Sequence, residues 1–168
     1  NTREHDQIEP ISDYGLSKFL GEFPIKQSAI RGVCLRLFNV FGEGGSGIVN
    51  VLDECIRVGK FFEMFSPYAV RDYVPVSYVA QLIEMALFED LNWQVFNVGC
   101  GKGVSVMDLV RTARKLGSFV VIDAVREDVT EIKTSIADLT RLEEWRGNRY
   151  SPEQDFGIES FWKRNGGV

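Results

Sequence analysis

The sequence predicts an α/β protein. Strand-like and helix-like patterns alternate along all 168 residues, with no internal repeat and no low-complexity linker. The apolar run within residues 30–40 is nearly continuous, which suits a parallel strand covered on both faces. With 45% hydrophobic and 26% charged residues, the chain is long enough for one real core but short for a two-lobed enzyme.

The first half of the chain is predicted to hold two helices and three extended segments. The first helix is predicted to contain residue 14, and Pro24 should end or kink it early. A strand over residues 30–40 is followed by a helix over residues 47–58, which has apolar side chains at helical spacing and stops at Gly59. An aromatic strand over residues 61–65 and an extended segment over residues 71–76 come next.

The second half continues the alternation. Ser77 is predicted to cap a helix, and residues 95–98 form a strand. The apolar face of that helix is predicted to consist of Val79, Leu82, Ile83 and Ala86. Ser105 and Asp108 resemble a capping box at the start of a helix that Gly117 ends. The stripe of this helix is predicted to consist of Val106, Leu109, Val110, Ala113 and Leu116.

The last segments contain one strand, one short element and one helix. A strand is predicted over residues 119–122, a loop over residues 126–134 and a short element over residues 135–138. Ser151-Pro152-Glu153 is a helix-start signature, and the inward side chains of that helix are Ile158, Phe161 and Trp162.

Composition excludes several classes of function. A net charge of -5 and a pI near 5.0 argue against a nucleic-acid-binding protein, which usually displays concentrated basic charge. The three cysteines are odd in number and widely spaced, which indicates reduced thiols and a cytoplasmic protein. With His5 as its only histidine, the chain lacks the parts of a zinc site or a serine-histidine triad, and we expect no metal. No apolar run approaches the roughly 18 residues of a membrane span, and the first residues do not resemble a signal peptide.

Tyr14 and Lys18 form the motif with the most chemical content. Positions four residues apart on a helix lie on the same face, so a phenol and an ammonium can serve one site. A nearby cation favours the phenolate, which suits a general acid or base. The spacing also arises easily by chance, and a tyrosine on a half-buried helix usually serves packing.

Two glycine loops resemble cofactor-binding motifs. Gly42-Glu-Gly44-Gly-Ser-Gly47 matches the dinucleotide fingerprint, although the acid at the expected distance, Glu63, lies inside an aromatic run. Asn97-Val-Gly99-Cys-Gly101-Lys-Gly103, with Asp123 after a later strand, imitates the entry of an S-adenosylmethionine-dependent methyltransferase. Only about 45 residues follow Asp123. The glycines of both loops could instead simply permit tight turns.

Several phrases together resemble the extended short-chain dehydrogenases, the NAD-dependent nucleotide-sugar epimerases and dehydratases. Pro10-Ile-Ser-Asp-Tyr14-Gly-Leu-Ser-Lys18 is similar to the active-site helix of that family, which has a glutamate one turn on. The further matches, in the expected order, are Leu35-Arg36-Leu-Phe-Asn39-Val-Phe-Gly42, Arg71-Asp72-Tyr-Val, Phe96-Asn97-Val-Gly99 and Ala137-Asp138.

The resemblance implies a fold and a set of roles. Tyr14 would transfer the proton at the sugar hydroxyl, and Lys18 would bind the nicotinamide ribose of NAD or NADP, with Phe38 also at the cofactor. Asn39, Gly47, Arg71 and Asn97 would bind the nucleotide sugar. Arg71 suits the diphosphate because a guanidinium fork matches phosphate oxygens, although it could instead pair with Asp72. Asn39 and Asn97 could alternatively be left-handed turn residues.

The resemblance also implies a domain division. Residues 1–46 would be the end of a Rossmann-type parallel sheet with the Tyr-Lys helix. Residues 47–168 would be mainly a substrate lobe, with one strand returning to the main sheet. The helix could dimerise through Leu16, Phe19, Leu20 and Phe23.

Two departures from the family pattern limit the assignment. Pro75, Ser77 and Tyr78 stand where the family usually has a histidine and two acids, which is similar to the dehydrorhamnose reductase branch. The pyrophosphate loop, which should precede Tyr14, is not in the sequence. We therefore expect the C-terminal part of a longer enzyme that neither binds NAD tightly nor turns over alone. The alternatives are a non-catalytic sugar-nucleotide-binding or assembly module and, more weakly, a methyltransferase fragment.

Overall fold

The chain folds into six helices and eight strands within the part that the structure describes. This computed structural model describes residues 1–28, 31–58, 60–116, 120–126, 132–150 and 157–164. The order is α1 Asp13–Gln27, β1 Val33–Leu37, β2 Asn39–Phe41, α2 Ile48–Val58, β3 Phe62–Phe65, β4 Val70–Pro75, α3 Val76–Leu87, β5 Gln94–Val98, β6 Gly103–Ser105, α4 Val106–Lys115, β7 Ile122–Arg126, β8 Thr134–Ser135, α5 Thr140–Arg146 and α6 Ile158–Arg164. The predicted α/β class is confirmed.

One sheet pairs β1 with β5 in parallel, from Val33 opposite Gln94 to Leu37 opposite Val98. Helices α3 and α5 pack against these two strands and form what we call the β1/β5 core. Its fully buried side chains include Tyr78, Leu82, Val98 and Leu142. The aromatic ring of Phe96 stacks on Trp145 with centroids 4.6 Å apart, which fastens α5 to β5.

A second sheet is built around β4. Its second half pairs in parallel with β2, while its first half pairs antiparallel with β6 and parallel with β8. Near β8, the backbone of Thr2 bridges that of Ala137, so the start of the chain lies beside the same sheet. Strand β4 therefore has at least one strand partner along its whole length, and its first two residues have one on each side.

The remaining elements enclose a β3/β7 core. Strands β3 and β7 pair in parallel, and α2, α4 and α6 cover them. In β3 the side chains alternate, with Phe62 and Met64 buried and Phe65 exposed. The indole of Trp162 in α6 is fully buried and donates to the carbonyl of Val49 in α2 at 3.3 Å. The division into two lobes at residue 47 stays a prediction.

Helix α4 begins as predicted. The Ser105 hydroxyl accepts from the Asp108 N–H at 3.1 Å, and the Asp108 side chain accepts from the Ser105 N–H at 3.4 Å, which completes the capping box. Four of the five predicted stripe residues are buried, and Leu116 packs against the same core. The predicted stop at Gly117 lies outside the described residues, as do the stop at Gly59 and the Ser151-Pro152-Glu153 start signature.

Four expectations about elements were wrong. The strand predicted over residues 30–40 is two strands, because the Phe38 N–H donates to the Val98 carbonyl and β2 then pairs with β4 instead of β5. Helix α1 does not end at Pro24 but continues to Gln27. Ser77 is not a cap, since α3 begins at Val76 without a side-chain cap. Of the strand predicted over residues 119–122, residue 119 lies outside the described residues, and residues 120 and 121 are not in β7, which begins at Ile122.

The buried face of α3 also differs from the prediction. Ile83 is 46% exposed, whereas Tyr78 is 1% exposed and Met85 is buried. Because β4 runs directly into α3 at Pro75, the rotation of the helix is set by the strand as well as by its own apolar pattern. That rotation turns the phenol ring of Tyr78 into the β1/β5 core.

Candidate active site

A cleft opens on one face of the β2–β4 pair. Asn39 lies opposite Tyr73 in the parallel register, and alternate residues of a strand share a face, so Arg71 and Phe41 lie on this same face. The cleft has a volume of about 470 Å³. The residues that line it are Phe38, Asn39, Val40, Phe41, Gly47, Ile48, Val49, Phe65, Ala69, Arg71, Tyr73 and Val106.

Four of the predicted site residues meet in this cleft. Phe38, Asn39 and Gly47 come from one stretch of chain, and Arg71 comes from the neighbouring strand. Arg71 is half-buried, and its guanidinium donates to the Val70 carbonyl at 2.9 Å. A guanidinium on an otherwise largely apolar wall is suited to binding phosphate oxygens.

The start of α2 forms another edge of the cleft. Gly47 and Ile48 line it, and the Gly47 carbonyl accepts the N–H groups of Asn50 and Val51 at 2.9 and 3.0 Å. The partial positive charge of a helix N-terminus favours an anion. The Arg71 guanidinium and the N-terminus of α2 therefore border the same cleft.

The glycine loop before α2 is held by a side chain. Nδ2 of Asn50 donates to the Gly42 carbonyl at 2.5 Å, and a Cβ at Gly45 would lie 2.8 Å from Oδ1 of Asn50. The carboxamide thus fills the inside of the loop, where a dinucleotide fingerprint would hold pyrophosphate. This arrangement favours a structural turn over a cofactor loop.

Asp72 has a structural function that the sequence analysis missed. Its carboxylate is fully buried and accepts the N–H groups of Cys100 at 2.7 Å, Gly101 at 2.9 Å and Ala137 at 3.2 Å. A Cβ at Gly99 would lie 2.4 Å from Oδ2 of Asp72. The amides of the second glycine loop are thus bound to protein, which argues against the methyltransferase interpretation.

Tyr14 and Lys18 lie on one face of α1, as their spacing predicts. The Lys18 ammonium is 5.2 Å from the centroid of the Tyr14 ring, and Tyr14 is 73% exposed. The hydroxyl of Ser12 accepts the Gly15 N–H at 3.1 Å and begins the helix just before the tyrosine. Neither side chain lines the cleft.

The two asparagines have different environments. Asn39 lies in β2 and Asn97 in β5, so the left-handed turn conformation that each could have adopted is excluded. Asn39 is exposed at the cleft, whereas Asn97 is buried and donates from Nδ2 to the Thr2 carbonyl at 2.9 Å. The substrate contact predicted for Asn97 stays a prediction.

One further lining side chain and a cation beside it were missed. Phe65 lines the cleft, and the Arg126 guanidinium lies 5.9 Å from the centroid of the Phe65 ring and 3.8 Å from the carboxylate of Glu63. The alternation of the aromatic strand could have identified Phe65, because Phe62 and Met64 occupy the buried positions. No local signal brings Arg126 there, since β3 and β7 are distant in sequence.

A charged pair joins α1 to β1. Arg36 Nε donates to Glu22 Oε1 at 2.9 Å, and Nη2 donates to Oε2 at 2.8 Å. The hydrogen bonds from Arg36 lower the pKa of the Glu22 carboxyl. Burial and the neighbouring Glu22 raise the pKa of the Cys34 thiol to about 11, so this thiol is protonated and unreactive near neutral pH.

Among the described residues, no helix is both long and apolar enough to cross a bilayer. The same residues contain no cluster of three or more His, Cys, Asp or Glu side chains that could hold a metal ion.

Comparison with known proteins links the motifs to a family. The model of the NAD dependent epimerase/dehydratase family matches residues 1–99. A Methanocaldococcus jannaschii protein, named provisionally as a UDP-glucose 4-epimerase, is 35% identical over 118 residues, 63% of this chain and 37% of that protein. The chain thus spans well under two thirds of this relative.

Solved structures agree in fold. The UDP-glucose 4-epimerase of Thermotoga maritima with UDP-glucose has a TM-score of 0.80 and 25% identity, over 96% of this chain and 56% of that one. The Thermus thermophilus UDP-glucose 4-epimerase with NAD has a TM-score of 0.77 and 23% identity, over 98% and 59%. The Rossmann-type α/β fold is thereby confirmed, and the chain belongs to the NAD-dependent epimerase/dehydratase family.

Proposed function

We propose that this chain is the substrate-binding part of an enzyme that interconverts nucleotide-diphosphate sugars with NAD or NADP, and that Tyr14 is its acid/base. The observation that carries the proposal is the cleft in which Asn39, Gly47, Arg71 and Phe38 meet. Phe38, Asn39 and Gly47 come from one stretch of chain and Arg71 from a distant motif, and the fold brings the two parts to one surface. The relatives named above support a UDP-sugar as the substrate.

The cleft suits the two ends of a nucleotide sugar. Its lining is mostly apolar, with the Arg71 guanidinium and the α2 N-terminus as positive groups. Two positive groups next to an apolar wall match a diphosphate attached to a planar base. The amide of Asn39, exposed at the same cleft, can donate to and accept from sugar hydroxyls.

Tyr14 and Lys18 of α1 carry functional groups that can bind a dinucleotide cofactor. A phenol and an ammonium that share an exposed helix face can both hydrogen-bond ribose hydroxyls, and both are accessible. Lys18 and Tyr14 would hold the nicotinamide ribose, and Phe38 would contact the cofactor from the cleft. When bound, the cofactor would supply hydride chemistry at a sugar carbon.

The proton chemistry belongs to this chain. Tyr14, as phenolate, would accept the proton of the sugar hydroxyl and return it when the sugar is reduced again. The ammonium of Lys18 lies 5.2 Å from the centroid of the Tyr14 ring, close enough to act in the same site. Asn39 and Arg71 would hold the sugar nucleotide in place so that its hydroxyl meets the phenol.

The test uses the protein at its full natural length with NAD and UDP-glucose, and follows the sugar product by NMR. The protein is expected to convert the sugar, and Tyr14→Phe should lower kcat by about 10²–10⁴-fold, since it removes the acid/base oxygen. UDP-sugar binding without turnover would support a non-catalytic binding module instead.

A separate titration concerns the 168 residues alone. Fluorescence titration with NADH is expected to show no tight binding. Micromolar affinity for the isolated chain would contradict the assignment of the cofactor site to a larger protein.

A further inference from the structure

Helix α1 is attached to the rest of the molecule by few contacts. Within the described part of the chain none of its side chains is fully buried, and only Gly15, Phe19 and Glu22 are half-buried. A catalytic tyrosine must be placed within a fraction of an ångström to act on a bound sugar. Directional hydrogen bonds within this chain can contribute to that placement.

The Arg36–Glu22 pair supplies such hydrogen bonds. Its two hydrogen bonds run in parallel between a planar guanidinium and a planar carboxylate, so they fix orientation as well as distance. Both side chains are only 20–23% exposed, which shields the pair from competing water. Glu22 lies one turn beyond Lys18 on the same side of α1.

Arg36 also contacts the segment that leads into α1. Its Nη1 donates to the Glu4 carbonyl at 2.9 Å, and Oε1 of Glu4 accepts the Asn97 N–H at 2.8 Å. One guanidinium in β1 therefore links α1, the segment before it and, through Glu4, strand β5. Strand β1 of this sheet is followed directly in the chain by β2, and β2 carries Asn39 at the cleft.

We propose that Arg36 is a positioning residue, which fixes the orientation of α1, and with it Tyr14 and Lys18, relative to β1. The inference rests on the proposed function. A lysine at this position would keep the charge but lose the fork, because an ammonium cannot make the two parallel hydrogen bonds. The position of the helix would then become less defined, while the cleft itself would stay intact.

The experiment compares Arg36→Lys and Glu22→Gln with the wild type at full natural length. Arg111→Lys is the matched control, since Arg111 forms an exposed pair with Asp108 on α4. Both test variants should lower kcat about 10- to 100-fold, as expected of a misplaced catalytic group. The KM for UDP-glucose should stay within about twofold, because Arg71 and the cleft are untouched. Because a loss of folded enzyme would lower the apparent kcat without changing KM, each rate is divided by the concentration of UDP-binding sites, and a merely structural defect would then leave kcat per site unchanged.

Amide hydrogen exchange of residues 13–27 provides a second readout that does not need turnover. Exchange should be faster in α1 of both test variants and unchanged in α4. Unchanged kcat together with unchanged exchange would overturn the proposal, as would a rise in KM equal to the fall in kcat. If the wild type converts no sugar, the proposed function fails, and the exchange of α1 alone decides whether Arg36 positions the helix.

Discussion

At the scale of single residues, Arg71 and Asp72 show how one dipeptide serves two purposes. Neighbouring side chains of a strand point to opposite faces, so Arg71 lines the cleft while Asp72 is buried on the other side. The carboxylate holds the turn at Cys100 and Gly101 as well as the backbone at Ala137. Binding and structural functions are thus one residue apart.

The binding half of this dipeptide can be tested by substitution. Arg71→Ala is expected to weaken UDP binding about 10- to 100-fold, because hydrogen bonds to charged groups contribute about 1.5–3 kcal/mol each. Arg71→Lys should recover part of this loss, since it keeps the charge without the fork. Calorimetry on the protein at full natural length measures both values. The control is Arg31→Ala, which removes an exposed cation paired with the exposed Asp90, and affinity within twofold of the wild type for Arg71→Ala would contradict the prediction.

The structural function of Asp72 can be tested by a substitution at Gly99. A Cβ there would lie 2.4 Å from Oδ2 of Asp72 and 2.9 Å from the Ala137 side chain, so Gly99→Ala should destabilise the fold by about 1–3 kcal/mol. Gly21→Ala is the matched control, because nothing lies within 4 Å of its Cβ position in α1 and alanine favours a helix. Urea unfolding should show opposite signs for the two changes, and equal effects would exclude the close packing on Asp72.

At the scale of elements, the change of sheet between β1 and β2 creates the site. Strand β1 pairs with β5, and after Phe38 the chain continues as β2 beside β4. This step separates the structural Arg36 in β1 from the exposed Asn39 in β2. Helix α1 is in turn held against β1 mainly through Glu22.

The attachment of α1 should depend on pH in a defined direction. The hydrogen bonds from Arg36 lower the pKa of Glu22 below its ordinary value of 4.5. A lowered pKa in the folded state means that the stabilisation is fully present above about pH 4.5, and that it is lost as the pH falls through the folded-state pKa.

The difference in unfolding free energy between the wild type and Glu22→Gln measures this effect. It is expected to be about 1–3 kcal/mol at pH 7. The difference should shrink as the pH falls below 4.5, and a constant difference from pH 7 to pH 3 would exclude the ionised pair as its source. Glu143→Gln, which removes an exposed pairing partner of Arg146, is the control.

At the scale of the whole molecule, the cleft depends on both cores. Phe41 and Tyr73 face the β3/β7 core, while their neighbours Val40 and Val74 belong to the β1/β5 core. Strands β2 and β4 thus form a wall between the two cores, and the cleft lies along one side of it. Outside the cores, α1 presents exposed apolar side chains at Leu16, Leu20 and Phe23.

This face of α1 predicts a homodimer. Leu20 is 54% exposed, and a charge there would oppose the burial of the helix against a second copy. Leu20→Glu should shift the protein from dimer to monomer in light scattering after gel filtration. Leu87→Glu, which alters a 76% exposed leucine at the end of α3, should leave the dimer intact. A wild-type protein that is monomeric at all concentrations would contradict the prediction.

Much of the fold could be predicted from local sequence patterns. The capping box of α4 and the Tyr14–Lys18 face of α1 were predictable, because each depends on residues within one or two turns of helix. The prediction of one continuous strand over residues 30–40 was wrong, because the segment forms two strands in two sheets. Only the backbone partners of the segment decide where one sheet ends and the next begins. The apolar face of α3 was wrong at Ile83, because β4 sets the rotation of the helix.

The sequence by itself determined the α/β class, the family motifs and which side chains could do chemistry, because these depend on residue type and short-range spacing. Only the tertiary structure decided that Asn39, Gly47 and Arg71 share one cleft, that Asp72 is a buried acceptor and that Arg36 binds Glu22 of the helix that carries Tyr14. The physical reason is that these contacts join residues distant in the chain. Backbone pairing between strands, which no local pattern encodes, brings them together.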